Sequence, residues 1–353
     1  MRTDRESSTL GTKKQFAENN EPLITIGVPT YDRRELLRQC VASILSQSYT
    51  NIEVIIGNDC IDQPLTFDSL GIQEDPRVRI INHAENLGAY NNHYYLLREA
   101  TGDWFTWLAD DDLMHPEFLQ IAYDVFSKYN VNSVYTNYVA KPDPYGCFPK
   151  KVTSVAPQIF SGSEFIEEYS SRRIKTVGNY GVFRRELFKK LGDVKRFGTG
   201  LPVYVDTFMP ILAASLGVLA YVDLELIFLR THTSSNSASA DCIEAYSSAQ
   251  KDFLVEFNQC CREYSGTPDY QRQLVNMLKW FAADGWHVIG RRHPGLYQRI
   301  SGFCRYTRET IVPILPARSR VAFWAYTIKM IIGDSMRYLA SRFLRRLNVG
   351  TKR

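Results

Sequence analysis

From Pro22 to Tyr129, short apolar runs alternate with amphipathic stretches of about a dozen residues. Leu23-Ile24-Thr25-Ile26-Gly27-Val28 reads as a buried strand, stopped by Pro29-Thr30, and Leu36, Leu37, Cys40, Val41, Ile44 and Leu45 then recur at helical spacing. Glu53–Ile56 and Val78–Ile81 predict further strands, and Ala89–Ala100 a helix closed by Gly102. Trp104–Leu108 predicts a fourth strand and Glu117–Tyr129 the next helix. This alternation admits few folds: an α/β architecture, with a mainly parallel sheet and helices on both faces. Ligands of such sheets sit outside the carboxyl ends of the strands. Those ends are Pro29-Thr30-Tyr31-Asp32, Gly57-Asn58-Asp59, Asn82 to Gly88, and Asp110-Asp111-Asp112.

The aspartate triplet is the densest charge in the chain. Three adjacent carboxylates repel one another, so a positive partner is expected. A hard divalent cation that also touches a phosphate would serve. The plainer reading is a polar turn, one aspartate capping the helix that begins near Pro116.

Beyond Val134 the pattern is mixed. Ser133–Ala140 is strand-like and Lys141–Pro149 is a Pro- and Gly-containing loop. Helices are expected over Gly162–Tyr169 and Arg185–Leu191, the second closed by Gly192. Strand-like Val218–Val222 and Ile227–Leu229 lead to Arg230-Thr231-His232-Thr233, and a Ser-rich linker, Ser234–Ser239, precedes helical Glu244–Tyr264, Tyr270–Trp286 and a basic tail. The expected organisation is a disordered lead-in over 1–21, a catalytic domain over 22–238 and a helical region over 239–353. Met1–Asn20 has no apolar core, so neither a secretory signal nor an anchor is expected there. The seven cysteines show no CxxC spacing, which fits reduced thiols in the cytoplasm better than zinc or disulfides.

Several of these residues resemble those of a known family. Val28-Pro29-Thr30-Tyr31-Asp32-Arg33, with Leu37, Ser43-Ile44-Leu45-Ser46-Gln47 and Ile52-Glu53-Val54, resembles the opening of a family 2 glycosyltransferase. Asn86-Leu87-Gly88, Gly102-Asp103 and Leu108-Ala109-Asp110-Asp111-Asp112 are similar to its second block. Phe183-Arg184-Arg185-Glu186-Leu187, Leu191-Gly192, Val205-Asp206 and Leu229-Arg230-Thr231-His232 are similar to its third. The resemblance, over about 22–240, implies a GT-A fold, a nucleotide-diphosphate sugar donor, Mn2+ or Mg2+, and inversion at the anomeric carbon.

It also implies roles for residues. Pro29, Thr30, Tyr31 and Arg33 would line the donor, with Tyr31 as a stacking face for the base. Asp59 would accept from the N–H of a base, favouring UDP or dTDP over GDP. Asn58 stands where the family often has a first aspartate. The family's Asp-x-Asp motif falls on Ala109-Asp110-Asp111, so its first aspartate is missing. Asp111 matches the metal-binding second aspartate, Asp110 would contact the donor, and Asp112 is a second ligand or a helix cap. Asp206 takes the place of the catalytic base; local pattern alone makes it a cap for a helix over about Thr207–Leu216. Arg230 would grip the diphosphate and His232 would bind phosphate or metal. Asn86 and Gly88 shape a loop near the donor, or a plain turn.

Single addition fits better than processive synthesis, since there is no spanning segment and no Gln-x-x-Arg-Trp motif. The acceptor would be a glycan or lipid-linked hydroxyl, in surface polysaccharide or O-antigen synthesis. A nucleotidyltransferase is disfavoured, because no Gly-rich phosphate loop lies between Val28 and Leu37. The losses at Ala109 and Asn58 keep open a non-catalytic nucleotide- or glycan-binding protein on a degenerate transferase fold. Residues 296–353 carry +10 of charge within a chain of net +4. Arg337, Arg342, Arg345 and Arg346 alternate with apolar residues there, and Trp324, Tyr326 and Ile328 add an anchor. Residues 319–353 are therefore expected to lie on an anionic membrane surface at its cytoplasmic face, or to pack on the protein or in a homodimer. A nucleic-acid partner is not expected, as no recognised module accompanies the charge.

Overall fold

The computed structural model describes residues 21–142, 152, 155–191, 204–231, 242–292 and 295–349. These divide into two compact units, one drawn from residues up to 191 together with 204–231, the other from 242 onward.

The first unit is built on a nine-stranded sheet. β1 (Ile24–Thr30), β2 (Ile52–Asn58), β3 (Val78–Asn82) and β4 (Trp104–Trp107) are mutually parallel, in the order β3-β2-β1-β4. Every residue of β1 is buried, as a strand covered on both faces must be. α1 (Arg34–Leu45) crosses from β1 to β2 and buries Leu37, Cys40, Val41 and Ile44, one face of a 3.6-residue repeat. α2 (Phe67–Leu70) is a single turn held by a Thr66–Ser69 capping box. α3 (Gly88–Glu99) and α4 (Phe118–Lys128) follow β3 and the triplet.

The chain winds outward from β1 through β2 to β3, then returns to the other side of β1 as β4. That reversal is a topological switch point, where the loops after β1 and β4 diverge and leave a crevice. Beyond β4 the sheet is mixed. β8 (Val182–Arg184) pairs antiparallel with β4 and with β6 (Ser133–Lys141), and β6 pairs parallel with β9 (Leu219–Arg230). Two short strands, β5 (Leu113–Met114) and β7 (Gln158–Phe160), pair antiparallel with β9. α5 (Gly162–Ser170), α6 (Glu186–Leu191) and α7 (Val205–Ala214) complete this unit.

One expectation is corrected. The two strands read at Val218–Val222 and Ile227–Leu229 are a single strand, because the register against β6 shifts after Val222, leaving Asp223 and Leu224 without register partners in β6 and absorbing the polar break at Asp223 and Glu225. Asp223 accepts a hydrogen bond from the Asn137 amide at 2.8 Å, which satisfies the interruption at the bulge. The short strands β5, β7 and β8 were not legible, being two or three residues long.

The second unit is helical: α8 (Ile243–Cys260), α9 (Pro268–Arg292), α10 (Leu296–Tyr306) and α11 (Arg320–Val349). Its core gathers Phe253, Phe257, Phe281, Trp286 and Phe303. Tyr306 donates to Gln250 at 2.5 Å or to the Phe281 carbonyl at 2.9 Å. Arg299 lies 4.0 Å over the Trp286 ring and pairs with Asp334 at 3.0 Å, tying α9, α10 and α11 together.

At the amino edge of the sheet, fully buried Thr25 donates to Glu53 at 2.7 Å and accepts from the Gly102 N–H at 2.9 Å. The same Glu53 oxygen accepts from the backbone and hydroxyl of Thr101. This hub ties β1, β2 and the approach to β4. Thr25→Val keeps the shape but strands a buried N–H, so urea unfolding should show a loss of about 1–3 kcal/mol.

Candidate active site

The site forms at the carboxyl ends of β1 and β4, across the switch point. Thr30, the last residue of β1, donates its hydroxyl to Asp110 at 2.6 Å. Arg33, just before α1, sends Nη1 to Asp110 at 3.3 Å and to Asp111 at 2.8 Å. The positive partner demanded by the triplet is thus supplied at least in part by the chain itself. Asp112 turns inward. One of its oxygens accepts from the Arg230 backbone N–H at 2.8 Å, and the other takes a short hydrogen bond from the Tyr180 hydroxyl. It does not cap α4, whose N-cap is Glu117. The cap reading of Asp112 is therefore wrong, because both oxygens hold the loop to β9 and to the turn containing Tyr180.

Burial sets the charge state of this cluster. Removal from water pushes the Asp110 carboxyl up to about 6, against the pull of Thr30. Burial, and then the neighbouring Asp111 charge, push Asp112 up to about 7, against the hydrogen bonds from Tyr180 and Arg230. Beneath them the Cys40 thiol, buried and facing the same charges, is pushed well above its ordinary range.

The other residues expected at the donor occupy different places. Tyr31 is 56% exposed at the mouth of the crevice, with its ring available to a ligand, whereas Pro29 is buried in β1. Asp32 adopts φ 52°, a left-handed conformation that turns the chain sharply out of β1. The Asn58 amide is engaged inside its own loop, with the Cys60 and Gln63 carbonyls and with Asn82. It shapes the loop beneath the site. Asp59 is buried and accepts from the Leu87 N–H at 2.9 Å, fixing the start of α3. Asn86 accepts from the Gly88 N–H at 2.8 Å, and Gly88 has φ +77°, so these two form the turn that opens α3. Arg230 ends β9; its Nη2 donates to Gln39 at 2.8 Å, and its buried Nε has no hydrogen-bond partner among the described residues. His232 lies outside the described residues, as do Gly192 and the Ser-rich linker.

Asp206 is the second residue of α7, and Tyr204 before the helix has φ 66°. The helix therefore starts earlier than Thr207, and Asp206 is inside its first turn instead of at its cap. Its carboxylate accepts from the Thr207 N–H at 2.9 Å. Solvent reaches this side chain, yet protein crowds its other sides, including Tyr138 and Tyr169, whose hydroxyls are pushed up chiefly by burial and further by the Asp206 charge. That partial loss of water raises the Asp206 carboxyl above the ordinary carboxylate range.

One short turn, Gly178–Tyr180, was not anticipated. Pro210 lies inside α7 and has no N–H, so the Asp206 carbonyl four residues back loses its helical donor. Gly178 closes on that carbonyl: a Cβ there would fall 1.6 Å from the Asp206 oxygen and 2.7 Å from Pro210 Cδ. Two residues on, Tyr180 holds Asp112. The turn therefore braces both the triplet and Asp206. A proline four residues after an acidic helix start was its only trace in the sequence.

Among the described residues no three His, Cys, Asp or Glu side chains form a metal cage. The hard oxygens of Asp110 and Asp111 suit a hard divalent cation, provided a ligand's phosphates supply the other donors.

Residues 25–192 match the model of glycosyl transferase family 2, and this segment belongs to that family. An uncharacterized glycosyltransferase of Haemophilus influenzae is 25% identical over 233 residues, 62% of this chain and 72% of that protein. One of Rickettsia bellii is 30% identical over 31% of this chain, a stretch that spans 16% of the Rickettsia protein. The crystal structure of S. aureus TarS 1-349 with UDP-GlcNAc superposes with a TM-score of 0.53 at 15% identity, covering 80% of this chain and 89% of that one. The fold is GT-A.

Two outcomes are expected. Asp110 and Asp112 have folded pKa values above the unfolded range near about 4. Their contribution is therefore most favourable at low pH and is lost as pH rises through about 6 and about 7. In metal-free buffer the melting temperature should fall as pH rises from about 4 to about 7, and by less in Asp112→Asn. Gly178→Ala, which drives a methyl into the Asp206 carbonyl, should cost about 1–3 kcal/mol in chemical denaturation.

Proposed function

We propose that the chain is an inverting glycosyltransferase that moves one sugar from a nucleotide diphosphate to an acceptor hydroxyl. The observation that carries this reading is the Thr30–Asp110–Arg33–Asp111 network across the switch point, where the fold places a ligand. The TarS structure with UDP-GlcNAc supports a nucleotide-sugar donor on this fold. Tyr31 would stack on the base. Asp59 and the Asn86–Gly88 turn fix the loop beside it, and Arg33 and Arg230 lie on the diphosphate side.

Mn2+ or Mg2+ would be held by Asp111, with Asp110 alongside and His232 as a further candidate. Bound there, the ion would neutralise charge on the departing diphosphate. Asp206 would take the proton from the acceptor hydroxyl as its oxygen attacks the anomeric carbon opposite the diphosphate. Its raised pKa, caused by burial, strengthens it as a base. Gly178 and Tyr180 keep Asp206 and the triplet in place. The proposed acceptor is a glycan or lipid-linked hydroxyl in surface polysaccharide synthesis.

Calorimetric titration with UDP, dTDP and GDP, with and without manganese, tests the donor site. Binding of one nucleotide, strengthened by manganese and lost in Asp111→Ala, is the expected result. Asp206→Asn should retain that binding and lower turnover by about 100-fold or more. Nucleotide binding with no turnover in the parent chain toward any glycan or lipid-linked acceptor would instead favour a non-catalytic binding protein.

A further inference from the structure

α11 presents an apolar stripe to solvent. Val321, Trp324, Ile328, Ile332 and Met336 are 82%, 36%, 54%, 54% and 66% exposed. Their spacing of three or four residues puts them on one face of the helix. The opposite face is anchored, with Phe323 and Thr327 fully buried. Tyr326 belongs to the anchored side, half-buried, its ring 5.6 Å from the Lys279 ammonium. The anchor expected at Tyr326 is thus replaced by Val321, Ile332 and Met336.

The charge beside the stripe is of one sign. Arg318, Arg320 and Lys329 are exposed next to it. The one acidic residue of α11, Asp334, is engaged with Arg299 at 3.0 Å and with the Trp286 indole at 2.9 Å. In the sequence the same spacing continues through Leu339 and Phe343, accompanied by Arg342 and Arg346. No helix among the described residues is long and apolar enough to cross a membrane.

We propose that α11 lies flat in the headgroup region of an anionic lipid bilayer, with Val321, Trp324, Ile328, Ile332 and Met336 inserted and the flanking cations on lipid phosphates. Apolar burial and attraction to negative lipid then act on the same face. A second copy of the chain is a poorer occupant, because pairing this face with itself would bring like charges together. Docking of this kind would bring a lipid-linked acceptor to the enzyme, but it is independent of the donor reading.

The test is co-sedimentation of the full chain with vesicles of phosphatidylcholine alone or mixed with phosphatidylglycerol. The chain should partition onto the mixed vesicles and only weakly onto the neutral ones. The double variant Ile328→Glu, Ile332→Glu should reduce partitioning by about tenfold or more, and Lys329→Glu should reduce it on mixed vesicles alone. All these positions are exposed, so unchanged circular dichroism and nucleotide titration will separate this result from failure of the donor site. Absence of partitioning onto mixed vesicles, or equal partitioning of parent and double variant, would overturn the proposal. So would a concentration-dependent dimer that the double variant abolishes while vesicle binding is absent.

Discussion

Three carboxylates at the end of one buried strand are the constraint around which the first unit is organised. Left to themselves they would repel, and burial of Asp110 and Asp112 raises that cost further. The fold answers from four directions: Thr30 from β1, Arg33 from the start of α1, Tyr180 from the short turn, and the Arg230 N–H from β9. Each partner belongs to a different element, so the cluster also locks those elements together. A site tied to four elements in this way is organised by the fold itself, which suits the proposed binding of a charged diphosphate.

The same economy appears around Asp206. A proline in α7 denies its carbonyl a helical hydrogen bond, and Gly178 fills the space with bare backbone. Tyr204 before the helix takes a left-handed conformation that few non-glycine residues adopt. Strain and close approach are concentrated beside the proposed base, and the turn that receives them also holds Asp112. Asp112 and Asp206 are thus both held by one three-residue turn, an arrangement that no single motif reveals.

Much of the fold was legible because its signals are local. Strands β1 to β4, helices α1, α3, α4 and α5 and the helical character of the second unit announce themselves by periodicity, with ends displaced by up to six residues, whereas the single turn of α2 does not. β5, β7 and β8 did not, because strands of two or three residues have no period to read and exist only through pairing. β9 was read as two strands because Asp223 breaks its apolar pattern, while the bulge opposite β6 keeps the pairing continuous. In the site, Thr30, Arg33, Asp110, Asp111 and Arg230 were picked out and do converge. Asn58 was picked out and instead braces its own loop. Tyr180 and Gly178 were missed, since a buried tyrosine and a glycine in a loop look like any others.

The sequence by itself determined the class of fold, the edge of the sheet where the candidate site forms and the place of greatest negative charge. These follow from side-chain periodicity and from chain order, which act over a dozen residues or fewer. Only the tertiary structure decided what the charge meets. Thr30 reaches Asp110 across 80 residues, Tyr180 reaches Asp112 across 68, and Arg230 reaches it across 118. Contacts at such separations depend on which strands pair and in what register, and hydrophobic spacing does not encode that choice. It is also why Arg33 lies against the triplet.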